Sequence, residues 1–160
     1  MTDTPPWHEN LVFPALLRHA RNTYGQAMRA ALAEIGCDDV PRNGLWVIGG
    51  LALGAPAVPL GDLIRDLRVS KQAAGQLVDT LVLRGYLERS ADPQDRRKLS
   101  VTLTERGKAV ADAQTKARER IDAQLAERVG VEHVRHARAT LAALIEIGHA
   151  GEEEAETESA

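Results

Sequence analysis

The chain has 160 residues, 44% hydrophobic and 27% charged, which is the composition of one ordinary globular domain, or of one domain with a dimerisation arm. Twenty-five residues are Ala and only five are aromatic (Trp7, Phe13, Tyr24, Trp46 and Tyr86), which favours helix and argues against an aromatic-lined β-sandwich. The net charge of −3 speaks mildly against a nucleic-acid partner until its distribution is considered: residues 151–160 hold five Glu and no base, so residues 1–150 carry +2.

The single cysteine, Cys37, excludes an intramolecular disulfide and fits a reducing compartment. The N-terminus has neither a basic start nor an apolar run, so no signal peptide is expected. Leu45 to Leu60 is uncharged but is broken by Gly49, Gly50, Gly54, Pro56 and Pro59, and is too short for a membrane span. A cytoplasmic protein is expected.

Residues 1–9 read as a flexible arm with Pro5 and Pro6. From Asn10 to Ile35 the spacing of Leu16, Leu17, Ala20, Tyr24, Ala27, Ala31 and Ile35 predicts a helix, with Asn10 as its N-cap and Gly36 as its stop. A short, mostly buried helix follows over 43–53 and runs into a proline-bounded turn. Residues 59–85 read as two short helices and a tight turn. Leu60, Leu63, Ile64 and Leu67 stripe the first. Ser70 caps the second, Ala74, Leu77, Val78, Leu81 and Val82 face its core, and Gly85 ends it.

At Tyr86 the period changes. Residues 86–90 read as a strand, and 91–97 as a polar turn. Leu99, Val101 and Leu103 alternate with polar residues as in a half-buried strand. Thr104 opens a long helix striped by Val110, Ala113, Ala117, Ile121 and Leu125, which Gly130 breaks. A last helix places Val134, Leu141, Leu144 and Ile145 inward and stops at Gly148 and Gly151, leaving 149–160 as a disordered acidic tail.

Helix, tight turn, helix and charged hairpin make a winged helix-turn-helix over 42–104. The second helix suits the major groove and the hairpin tip the minor groove. The long helices over 10–36 and 105–148 supply a two-fold partner surface. The predicted fold class is mainly α (α+β). The residues placed on DNA are Ser70, Lys71, Gln72, Ala73 and Gln76 of the helix, and Asp95, Arg96, Arg97 and Lys98 of the wing. Arg97 is given the minor groove, Asp95 the ion pair that fixes the wing, and Arg96 a phosphate or a second groove contact. Arg65, Arg68, Arg84 and Arg89 read equally well as phosphate contacts or surface charges.

The runs Ser70-Lys71-Gln72, Arg84-Gly85-Tyr86-Leu87, Asp92-Pro93-Gln94-Asp95-Arg96-Arg97 and Leu103-Thr104-Glu105-Arg106-Gly107 resemble the MarR family of bacterial transcriptional regulators. The resemblance implies an obligate homodimer joined by the first and last two helices. It implies binding to a double-stranded operator, often relieved by a small phenolic or anionic effector. The family usually has a hydroxyl residue where this chain has Gly75, and often a basic residue where it has Gln76.

Other readings carry less. Cys37 has only Asp38 and Asp39 beside it in sequence, so a small, half-buried, unreactive thiol is expected. His133 and His136 lie three apart without a further ligand, so a plain surface face is expected and no metal or other cofactor is assigned. His19, Tyr24 and Trp46 are the candidate ligand pocket, although core packing is the commoner role for Trp46. No phosphate loop, nucleophile elbow or HExxH motif is present, so no enzyme is expected. The competing reading is a winged-helix dimer used for protein contacts without operator binding.

Overall fold

The computed structural model describes residues 6–54, 58–59, 70–91 and 99–158. The chain divides into two compact units, Met1–Arg118 and Glu119–Ala160. In the first, a 3-10 turn at Trp7–Asn10 leads to α1 (Phe13–Glu34), α2 (Gly44–Leu53) and β1 (Val58–Pro59). Helix α3 (Lys71–Leu83), strands β2 (Leu87–Ala91) and β3 (Leu99–Leu103), and helix α4 (Glu105–Val129) follow. The second unit takes the end of α4 and α5 (Val131–Glu158), with Gly130 at φ 87 between them.

Helix α1 starts later than its N-cap signal implies. Asn10 closes the 3-10 turn, and Val12 stands at the N-cap with no side-chain bond. Pro14 decides the start, because its missing N–H is harmless in a first helical turn. Both α1 and α3 end in the paired hydrogen bonds of a Schellman motif. In α3, Gly85 (φ 73) donates to the Val82 carbonyl at 2.9 Å and Tyr86 to the Leu81 carbonyl at 2.9 Å. A left-handed residue is required there, and glycine adopts it without Cβ strain. Leu81 and Tyr86, the apolar pair that closes the motif, are fully buried.

The sheet has the order β1-β3-β2, antiparallel throughout. Leu87 pairs with Leu103 and Ala91 with Leu99, in the register of the expected hairpin. Strand β1 is an addition: Val58 pairs with Val101 and Pro59 with Ser100. Two residues give no periodicity to read, and a proline is tolerated on an edge strand. The core gathers Leu32, Val47, Ile48, Val78, Leu81, Tyr86, Leu87, Val101 and Val110. The helix expected over Leu60–Leu67 lies outside the described residues.

Three further expectations change. Trp46 is 59% exposed and does not pack in the core, because α2 turns Val47, Ile48 and Leu51 inward. Leu141, Leu144 and Ile145 are exposed in the single chain rather than inward. Helix α5 continues through Gly148 and Gly151 to Glu158, where a stop and a structureless tail were expected. Each helical glycine weakens the helix by about 1 kcal/mol without breaking it, and Ala and Glu are good helix formers.

The segment Thr104–Gly107 grips the end of α3. Thr104 caps α4, its hydroxyl accepting from the Gly107 N–H at 3.1 Å and donating to the Gly85 carbonyl at 2.6 Å. The Thr104 N–H donates to the Tyr86 carbonyl at 3.2 Å. A Cβ on Gly107 would collide with that same carbonyl oxygen, so only glycine lets α4 pass this close. Gly107→Ala is therefore expected to lose about 3 kcal/mol of stability, the upper range for overpacking, as read from urea unfolding. No change in the midpoint would refute the contact.

Candidate nucleic-acid interface

Helix α3 divides cleanly into two faces. Ala74, Val78 and Leu81 are buried, while Lys71, Gln72, Ala73, Gln76 and Asp79 are exposed. Its N-terminus is built as the sequence predicts: the Ser70 hydroxyl accepts from the Ala73 N–H at 3.2 Å. The hydroxyl is committed to the cap, but the exposed helix start still offers N–H groups and a positive dipole end suited to phosphate. Lys71 supplies the formal charge nearest to it, and Gln72 and Gln76 supply amides that both donate and accept.

Strands β2 and β3 bring the chain to Ala91 and take it up again at Leu99. The wing residues Asp95, Arg96, Arg97 and Lys98 lie outside the described residues, as do Arg65 and Arg68. Arg89 forms an ion pair with Asp79, joining β2 to α3. Arg84 donates to the Asp39 carbonyl oxygen. Both arginines thus serve the fold, although their sequence pattern left phosphate binding equally open.

Sequence reasoning missed the cluster that sets the angle of α3. Tyr86, 0% exposed, donates its hydroxyl to the Asp39 carboxylate. Arg106 lies over the Tyr86 ring, 4.3 Å from its centroid. Its guanidinium also donates to Asp39 at 3.1 Å and to the Arg84 carbonyl at 2.6 Å. The Tyr86 hydroxyl bond, followed by the charges of Arg106 and Arg84, holds the Asp39 carboxyl below its usual range. Burial, then the bond to Asp39, pushes the Tyr86 phenol upward, so it remains a donor. Arg106 and Tyr86 were visible only as motif letters, and Asp39 as a loop residue. Nothing in their spacing says that they meet.

Of the candidate pocket residues, His19 and Trp46 are exposed and Tyr24 is half-buried. Cavities occur among the described residues of the first unit. One, of about 240 Å³, is lined by Arg29, Leu32, Cys37, Asp38, Val40 and Leu45. Another, of about 490 Å³, lies between the end of α2 and Lys108, Ala111, Asp112 and Thr115 of α4. Neither includes His19, Tyr24 or Trp46 in its lining. Cys37 is buried rather than half-buried. Among the described residues no group of three His, Cys, Asp or Glu side chains is placed to hold a metal, and no helix is long and apolar enough to cross a membrane.

The described elements are those of a mainly α winged-helix fold. The family model described as MarR family matches residues 38–98, which shows the resemblance over the segment that carries the helix-turn-helix. MarR from E. coli in its reduced form superposes with a TM-score of 0.65 at 19% identity, covering 84% of this chain and 96% of that one. The transcriptional repressor CouR, bound to a 23-mer DNA duplex, gives 0.66 at 19% identity over 90% of this chain and 99% of its own. MepR from S. aureus bound to ethidium bromide gives 0.59 at 19% identity over 86% and 97%. No curated protein matches the sequence. The fold is that of the MarR-family transcriptional regulators.

The Asp39 cluster makes stability depend on pH in a defined direction. A carboxyl whose folded pKa is lowered stabilises the fold above its unfolded pKa, near 4. That stabilisation is lost as pH falls through the folded value. Asp39→Asn is expected to lower the thermal midpoint at pH 7, with the gap to the unsubstituted chain closing below about pH 4. A gap of constant size across that range would contradict the assignment.

Proposed function

We propose that the chain is a homodimeric DNA-binding transcriptional regulator, a repressor that occupies a palindromic operator and leaves it when a small phenolic or anionic effector binds. The observation that carries this reading is the two-faced helix α3. It is anchored inward by Ala74, Val78 and Leu81 and leaves Lys71, Gln72, Ala73 and Gln76 exposed behind a capped N-terminus. Side chains of this kind reach phosphates and base edges in a major groove. CouR, with the same fold, is bound to a DNA duplex, which supports the operator, and MepR is bound to ethidium bromide, which supports a small-molecule effector but not its phenolic or anionic character.

Homodimerisation is supported by apolar side chains that the single chain leaves in solvent. Trp7, Val12 and Phe13 are exposed in the first unit, and Val131, Leu144, Ile145 and Ile147 in the second. We assign residues 10–36 and 105–148 to the dimer and 42–104 to DNA. Of the basic wing residues, Arg97 takes the minor groove and Arg96 the adjoining phosphate or a second groove contact, with Asp95 as the ion-pair partner that fixes the wing and Lys98 as a further DNA contact. His19, Tyr24 and Trp46 are the proposed effector contacts. Such a regulator acts in the cytoplasm, where its operator lies, and carries out no catalysis.

The test is a salt titration of binding to DNA selected from genomic fragments. A dimer neutralising several phosphates loses affinity steeply, with a slope in log K against log salt of about −0.9 per phosphate contact. Arg97→Ala is expected to cost roughly 1–3 kcal/mol of binding. Absence of binding at low salt would refute the reading in favour of a protein-interaction module.

A further inference from the structure

Gly75 sits inside α3, two turns before its end, at a position where glycine weakens a helix relative to alanine. Among the described residues the usual internal reasons for a glycine are missing. Its φ is not positive, unlike those of Gly36, Gly85 and Gly130. Apart from its chain neighbours and the backbone of its own helix, no heavy atom of the described residues lies within 4 Å of the point a Cβ would occupy, whereas a Cβ on Gly44 would stand 2.9 Å from Leu81 and one on Gly107 would strike the Tyr86 carbonyl. Packing within the described chain therefore does not require the missing side chain. On the helical wheel Gly75 flanks the outward face, next to Gln72 one turn before it and Asp79 one turn after it. Asp79 is held by Arg89 of β2, so the floor beside Gly75 is fixed.

We propose that Gly75 sets the distance between α3 and the duplex. Its bare edge lets the helix backbone seat closer to the major-groove wall than any side chain would allow. At that depth the short reach of Gln72 and Gln76 suffices for base edges, where a glutamine amide pairs with the N6 and N7 atoms of adenine. The partner is B-form DNA with adenine in each half-site. This rests on the operator-binding reading above and adds the residue that fixes how deeply the helix enters.

The experiment measures two quantities that move in opposite directions. Gly75→Ala and Gly75→Ser are compared with the unsubstituted dimer for thermal midpoint and for affinity to DNA that the unsubstituted protein selects. The alanine variant is expected to melt roughly 2–4 °C higher, because helix propensity improves and no described atom is displaced. Both variants are expected to bind at least about tenfold more weakly. Undiminished affinity in both would overturn the proposal. A lower midpoint for Gly75→Ala would also overturn it, by placing the glycine in internal packing. If the unsubstituted dimer binds no DNA at low salt, the operator reading itself fails, and the proposal with it.

Discussion

The contact between Gly107 and the Tyr86 carbonyl sets the position of everything that faces outward. Two helices meet there, the end of α3 and the start of α4, and the approach is closer than a Cβ permits. Thr104 occupies both carbonyls of the turn 85–86 and takes the Gly107 N–H on its hydroxyl, so the Schellman ending of α3 and the cap of α4 form one hydrogen-bonded unit. The exposed face of α3 inherits its direction from this junction. Moving the junction would move Lys71, Gln72 and Gln76 as a rigid body, since Ala74, Val78 and Leu81 lock the other side of the helix into the core.

Electrostatics close the same junction from outside. Asp39 takes the Tyr86 hydroxyl and the Arg106 guanidinium, and Arg84 adds a bond to its carbonyl. Arg106 is a cation spent on an aromatic face and two oxygens of its own chain. The distinction matters for charge counting. Arg84, Arg89 and Arg106 all contribute to the +2 of residues 1–150, yet each is engaged internally. The cationic surface left for the proposed DNA partner is narrower than the sequence total implies. Exposed pairs of this kind contribute little singly. Here they cooperate around a buried tyrosine.

Much of this was legible in the sequence because it depends on local chemistry. Ser70 as a cap, Gly85 as a left-handed stop, the strand from Leu99 to Leu103 and the break at Gly130 all read directly, although Ser100, expected on the polar face of that strand, is buried. What was not legible depends on tertiary meeting. Asp39 and Arg106 lie 67 positions apart, and their pairing has no periodic signature. Strand β1 is two residues long and includes Pro59. Trp46 follows the general preference of large aromatics for the core, and α2 overrides it by turning Val47, Ile48 and Leu51 inward instead. At the end of α5 the rule that glycine ends helices gave way to the helix propensity of Ala and Glu. On the face proposed for DNA, α3 leaves Lys71, Gln72, Ala73 and Gln76 exposed, while the wing residues Asp95 to Lys98 rest on the sequence alone.

The central claim is that the junction at Tyr86 positions α3 for DNA. It is tested most directly by the operator affinity of Arg106→Ala, measured at a temperature where circular dichroism shows the variant fully folded. The account expects affinity to fall because the seat of α3 shifts, with the salt slope unchanged because the Arg106 guanidinium is engaged by Asp39, the Tyr86 ring and the Arg84 carbonyl. An affinity equal to that of the unsubstituted protein would contradict it.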